Sequence, residues 1–405
     1  MSLANRVSRA VVLGIFLVFA VRGLGAEEFR YIHRAGDSYR ILSVVNEDVY
    51  LDRELTHRAE ILNRIAVKVL GERDGVGRME AVFQTSERAV RSDSAQSFQW
   101  AREYESVFSR DPLGRLTIER AYFMPVVRDV PVFPDRDLEP GDTWSAEGHE
   151  MHDFRDSFGI VEPYRIPFTA NYTYLGERSL NGREYPAFSV SYRISASPPA
   201  VAGERWPRRI TGASDQIVYW DRDKGQPFFY EESFRMLFEL SDGMLIEYRG
   251  TAHAEILESE EMDKDQIAGQ IARDLENLGL RDTTVRVDRE GVTISLEAIQ
   301  FNPDSPDLLP AEQAKLDRIG EILARYPDRD ILVGGYAALA GTAAGRQTLS
   351  AQRAAAVADY LIRKGVRGAE RVVVRGYGAD RPVADNRTPE GRERNRRVEI
   401  TILEN

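Results

Sequence analysis

GYGADRPVADNRTPEGRERNRRVEI, residues 376–400, decides how the last third of this chain is read. A strand predicted over residues 371–377 runs into the stretch, and another over 397–403 runs out of it. Arg392, Arg394, Arg396 and Arg397 alternate there with Glu390, Glu393 and Glu399. Mixed charge of this kind reads first as ion pairing on a solvated surface, worth roughly 0–1 kcal/mol per pair. Upstream, a helix is predicted over residues 348–364, with Gly365 as its stop, and a short strand over 331–335. A further helix, 309–324, carries Leu316, Ile319, Ile322 and Leu323 as its apolar stripe. Ile267, Ile271, Leu275 and Leu278 form one more helical face before Gly279. Two strands follow around the turn at 288–291. Helices alternating with strands over about 140 residues predict a compact α/β layer.

The segment 341–354 (GTAAGRQTLSAQRA) and the segment 376–400 together resemble the OmpA-like domain, the peptidoglycan-associated family of bacterial envelope proteins. Ile299, Gln300, Phe301 and Asn302, with the helix after them, are similar to the strand, loop and first core helix of that family. The resemblance covers roughly residues 264–405. It implies an α/β sandwich with a mixed sheet and helices on one face. It also implies a ligand, the diamino-acid stem peptide of peptidoglycan, which offers an ammonium and carboxylates. In the family an Asp takes the ammonium and an Arg, whose planar fork suits carboxylate, takes the other end. Arg353 falls on the family Arg. The family Asp is replaced by Ala338, beside Ala337, and a family Asn by Arg346. Losing one charge-assisted hydrogen bond costs about 1.5–3 kcal/mol, or roughly one to two orders of magnitude in affinity. Candidate ligand contacts are Arg353, Arg397, Asn302 and Arg346. Three outcomes stay open: the domain keeps peptidoglycan, takes another envelope ligand or partner, or serves as a structural module.

Working outward again, the first 26 residues read as an export signal. Arg6 and Arg9 precede an apolar run over 10–21, too short to span a bilayer at about 20 residues. Cleavage is expected after Ala26, leaving no transmembrane helix. The chain has no cysteine, so it has no lipid attachment point, thiol nucleophile or disulfide. A net charge of -11 argues against nucleic acid as a partner. At 405 residues, two or more domains are expected.

Residues 27–257 alternate as antiparallel strands do. Ile166, Phe168, Ala170, Tyr172 and Tyr174 share one face, as do Pro186, Phe188, Val190, Tyr192 and Ile194. Leu70-Gly71-Glu72-Arg73 and Leu175-Gly176-Glu177-Arg178 hint at two related halves meeting near 140–167. The polar residues 258–266 are the expected linker and 267–405 the OmpA-like domain. The expected class is therefore α+β.

No activated nucleophile, acid–base pair or phosphate loop is evident, and a non-catalytic protein is expected. His149 and His152, near Glu150 and Asp153, could suggest a metal, but the segment reads as a loop and no second ligand pair accompanies it. No metal or cofactor is expected. Pro140-Gly141-Asp142-Thr143-Trp144 reads as a folding corner. The functional expectation is a periplasmic envelope tether, associated with the outer membrane or wall, whose β region meets an envelope protein or lipid. A carrier is the alternative, with the β region holding an apolar ligand and the last domain no longer on the wall. A membrane barrel is disfavoured because Arg102 interrupts the Phe98, Trp100, Tyr104, Phe108 series.

Overall fold

A computed structural model describes residues 26–90, 97–200, 205–258, 262–280, 282–297, 299, 301 and 308–404. The expected export signal, except Ala26, lies outside the described residues, as do Asn302 and residues 259–261. Among the described residues no helix is long and apolar enough to cross a membrane.

The chain is rich in β structure. Its amino-terminal region contains β1 (Ser38–Leu51), β2 (Glu54–Arg73), β3 (Val76–Ala89), β4 (Phe98–Arg110), β5 (Leu116–Ile118), β6 (Val127–Arg128), β7 (Thr143–His152), the single turn α1 (Arg155–Phe158), β8 (Tyr164–Leu180), β9 (Arg183–Ala196), β10 (Pro207–Asp221), β11 (Gln226–Leu240) and β12 (Leu245–Glu258). Neighbours in sequence pair antiparallel, from β1 to β5 and from β6 to β12. β1 also pairs with β12, Tyr39 opposite Glu258 through Leu51 opposite Ile246. The first and last strands of the region thus meet in mid-sheet, and the seam falls between β4 and β7.

Period two sets the faces. In β8, Ile166, Phe168, Ala170 and Tyr172 are buried while Arg165, Pro167, Thr169 and Asn171 are exposed. Phe29 and Tyr31 of the leading segment pack with Phe133, Leu138, Tyr174, Phe188 and Trp220 into an aromatic core. The Pro-Gly-Asp-Thr-Trp stretch is the corner into β7. Gly141, at φ 98°, donates to the Tyr174 carbonyl. The Trp144 ring stacks 5.0 Å from Tyr172 and its Nε1 donates to the Val132 carbonyl. Both Leu-Gly-Glu-Arg stretches sit at register shifts near hairpin ends.

β4 differs from the expected single face. A register shift opposite Thr85 and Ser86 places Ala101 as an extra residue and turns the strand over. Trp100 packs on Leu332, Val373 and Leu403 of the following region, whereas Tyr104 joins Met79, Phe83 and Phe108 inside.

That following region contains α2 (Lys264–Asn277), β13 (Thr283–Val287), β14 (Gly291–Leu296), α3 (Pro310–Leu323), β15 (Ile331–Gly335), α4 (Ala343–Arg363), β16 (Val372–Gly376), α5 (Pro389–Asn395) and β17 (Val398–Leu403). α2 starts ahead of Ile267, with the Asp263 side chain accepting from Gln266 N, and Met262 is already in the core. The strand order is β13-β14-β17-β15-β16; only the β15–β16 pair is parallel. Val292, Ile294, Val333, Val374, Ile400 and Ile402 pack on α2, α3 and α4.

The two regions share hydrogen-bonded structure. The start of β4 pairs with β16 in parallel, Phe98 opposite Val373 and Gln99 opposite Val374. Arg64 of β2 bonds Asp330 at 2.8 Å, both 6% exposed in their side chains, and its second arm reaches the Glu370 carbonyl. Arg371 holds the other Asp330 oxygen at 3.0 Å. Burial pushes the Arg64 guanidinium down from its ordinary value, and Asp330 opposes that. Breaking a buried pair by removing one partner typically costs about 3–5 kcal/mol. Asp330→Ala is expected to lower urea stability by about that much, and Arg64→Met in the same chain to restore most of it. A double variant as unstable as the single one would show that the stranded Arg64 charge is not the cause.

Candidate functional site

The loop 336–342 joins β15 to α4, and Arg353 projects from the third turn of that helix. Two glycines set the close approach of helix to sheet. A Cβ on Gly335 would lie 2.0 Å from the Ser350 carbonyl oxygen, and one on Gly376 would lie 2.7 Å from Ala351 N. Ser350, fully buried, donates to the Gln347 carbonyl and accepts from Gly378 N at 2.9 Å. Thr342 caps α4 through Gly345 N. The Ser350, Ala351 and Ala354 positions are thus small because the sheet lies directly beneath them.

Asn395 performs the matching task for the other loop. It is 1% exposed; its Oδ1 accepts from Val383 N and Ala384 N, and its Nδ2 donates to the Ala384 carbonyl and to Asn386 Oδ1. Asn386 Oδ1 in turn accepts from Leu339 N. The loop 336–342 is fixed further by Ala337 N donating to the Gly378 carbonyl.

On this frame the structure brings three of the expected site positions to the loop and α4. Ala338 is buried in the loop. Arg346 folds back, donating to the Gly341 carbonyl at 2.6 Å. The half-buried Arg353 guanidinium lies 5.0 Å from the Phe301 ring centre. Arg397 stands apart. It is 3% exposed and alternates with Val398, Ile400 and Ile402, which face the helices, so it belongs to the opposite face of the sheet. There its Nε bonds Glu399 at 2.6 Å and its Nη2 bonds the Arg381 carbonyl. Arg286 grips Glu399 from the other side at 2.6 and 2.9 Å. Asn302 lies outside the described residues. Arg394 pairs with Glu297 and Arg392 holds loop carbonyls, consistent with local pairing on the surface.

Sequence reasoning missed the stack that surrounds Arg397. Its guanidinium lies 3.6 Å from the Tyr336 ring centre, Tyr336 stacks on Tyr377 at 4.7 Å, and Arg375 and Arg381 cover Tyr377. The signal was the parallel register. Gly335 opposes Gly376, so the next residue on each strand is a tyrosine beside a tyrosine. Burial pushes the Tyr336 phenol up.

His149 and His152 lie on β7, not in a loop, because their segment pairs with β8 over its whole length. His149 meets Asp129 at 3.4 Å and His152 meets Glu150 at 2.6 Å. Among the described residues no cluster suited to a metal occurs. Two large concavities lie elsewhere. One, of about 1150 Å³, is a charged cleft between the regions, bordered by Arg64, Asp330 and Trp100. The other, of about 770 Å³, lies inside the β region.

A helix-backed mixed sheet, a loop fixed by backbone bonds and an arginine on α4 beside Phe301 make up this region. Residues 300–396 are an OmpA family domain, matching that family over this span. The peptidoglycan-binding protein ArfA of Mycobacterium tuberculosis is 42% identical over 104 residues, 26% of this chain and 32% of that protein. The probable lipoprotein YiaD of Escherichia coli is 39% identical over 126 residues, 30% of this chain and 57% of that one. The structure of the cell wall anchor of the T6SS from Pseudomonas aeruginosa is 30% identical, covering 33% of this chain and 95% of that one, at a TM-score of 0.28. The chain spans about a third of ArfA and just over half of YiaD.

Burial pulls the Glu399 carboxyl up, but Arg286 and Arg397 outweigh it and hold the group below its ordinary value. Stability from this group is therefore present above the ordinary glutamate pKa and is lost as pH falls through the lower folded value. Glu399→Gln leaves the buried Arg397 without its carboxylate, while Arg286 keeps Asp288, and is expected to cost about 3–5 kcal/mol at neutral pH. Urea unfolding at pH 7 and again at stepwise lower pH should show the gap to the parent closing. A gap independent of pH would remove Glu399 ionisation as the source.

Proposed function

We propose that this is an exported, non-catalytic cell-envelope protein whose OmpA family domain associates with peptidoglycan through a modified site. The observation that carries the reading is Arg353 at the edge of α4 beside Phe301, in the position where the family uses an arginine for the stem-peptide carboxylate. The similarity to a protein named as peptidoglycan-binding supports it. Where the family places an acidic partner for the ammonium, this chain offers the Ala338 methyl group. Arg346 does not fill that role, since it is cationic and turned onto the carbonyl of Gly341. Affinity then rests on the carboxylate end of the ligand and on repetition along the polymer. Arg397 contributes by holding Tyr336 at the root of the loop, through its Glu399 pair and ring contact.

The cavity inside the β region favours a second reading for that part of the chain, a carrier for an apolar ligand.

Co-sedimentation of the whole chain with purified peptidoglycan sacculi tests the wall reading. The parent protein should pellet. Arg353→Ala should lose roughly ten- to a hundredfold in affinity, the worth of one charge-assisted contact, and Ala338→Asp should gain by a comparable factor. If only Ala338→Asp pellets, the domain has kept its fold and lost its ligand.

A further inference from the structure

The interior of the β region holds two carboxylates that no arginine or lysine pairs among the described residues. Glu150 on β7 is 5% exposed. It accepts from the Tyr192 hydroxyl at 2.9 Å and meets His152 Nε2 at 2.6 Å. Glu232 on β11 accepts from Ser214 Oγ at 2.5 Å and Gln216 Nε2 at 3.3 Å. Ser214 and Tyr192 are register partners on β10 and β9, so both carboxylates belong to one polar band across four strands. Burial, reinforced by the Glu150 charge, pushes the Glu232 carboxyl above its ordinary value.

This band forms part of the wall of the 770 Å³ cavity. Much of the remaining lining is apolar, with Ile65, Phe83, Phe123, Ile194, Phe229 and Met236 among it. The cavity lies within the roughly 300–1,000 Å³ range of small-ligand sites. Cationic side chains also border it, but they are engaged elsewhere. Arg102 bonds Asp156 at 2.9 Å, Arg235 pairs with Glu247, and Arg110 lies over the Tyr31 ring. The lining reaches Tyr104 and Met151, on the two sides of the seam where β4 and β7 do not pair, and includes Phe123 to Val126 of the segment between them.

Glu150 has only the His152 imidazole beside it and Glu232 only neutral donors; carboxylates taken out of water are costly, and a bound cation offsets that cost. Apolar walls call for hydrocarbon on the same molecule. We propose that the cavity binds an amphiphile with one ammonium head and a hydrocarbon chain, the head lodged between Glu150 and Glu232. An anionic amphiphile would bring a third negative charge to the same band. The inference rests on the carrier reading of the β region and is independent of whether the OmpA family domain holds the wall.

Isothermal titration of the whole purified chain with dodecylammonium, dodecanoate and dodecanol, each below its micellar concentration, tests it. Dodecylammonium should bind once per chain, roughly ten- to a hundredfold more tightly than dodecanoate. Glu232→Gln should weaken dodecylammonium by about the same factor and leave dodecanol unchanged. Where circular dichroism shows that Glu232→Gln has unfolded, Glu150→Gln carries the same expectation, since an amide can still accept from Tyr192. Equal binding of the three molecules, or preference for dodecanoate, overturns the ammonium head and leaves the carrier reading. Binding of none overturns both. Unchanged dodecylammonium affinity in a folded variant overturns the placement at these carboxylates.

Discussion

The Arg64–Asp330 pair is the contact on which the arrangement of this chain depends. Both groups are nearly sealed from water, and each would be costly to bury alone. Asp330 sits just before β15, the central parallel strand of the OmpA family domain, and Leu403 N bonds its carbonyl. Arg64 sits in mid-β2, where the outer face of the sheet turns toward that domain. The pair therefore fixes which face of the β region meets the domain. The two register contacts between β4 and β16 then follow along the same boundary. The two backbone pairings are short, and a buried ion pair beside them admits one geometry. The bulge at Ala101 belongs to the same arrangement, because it delivers Trp100 to the domain while Tyr104 stays inside.

Within the domain, much of what makes the family motif recognisable is framework. Ser350 and Asn395 each satisfy backbone groups of a loop, and Arg397 neutralises Glu399 beneath the sheet. Buried polar residues of this kind tolerate little change, since a single unmet donor or acceptor costs about 1–3 kcal/mol. Ala338 and Arg346 sit within this frame: Ala338 is buried in the loop and Arg346 donates to the Gly341 carbonyl.

How legible this was in the sequence follows from the range of each signal. The faces of β8 and β9 were readable because burial alternates within one strand. So were the stripe of α3 and the strands that flank the 376–400 stretch. Arg397 reads in the sequence as a candidate ligand contact, whereas the structure sets it on the sheet face away from the helices. A run of four arginines among glutamates carries no period, and only the register of β17 against β14 and β15 shows which arginine lies under the sheet. α5 was hidden by the same charge density. The pairing of β1 with β12 was beyond local pattern altogether, since Tyr39 and Glu258 meet across the length of the β region. His149 and His152 read as loop residues because polar groups flank them. They belong to a strand because β8 offers ten consecutive partners.

α4 is where these separate constraints converge. Near its start, Thr342 caps the helix and Ser350 fixes the loop after β16. In its middle, Arg353 reaches Phe301. Later on the same helix, the Asp359 carboxylate accepts from Ser97 N at the entry to β4. Helical backbone is stiff over this distance, because each turn is held by several hydrogen bonds. Asp359 and Arg353 lie less than two turns apart on this helix. The entry to β4 is thus tied by one hydrogen bond to the helix that carries the arginine.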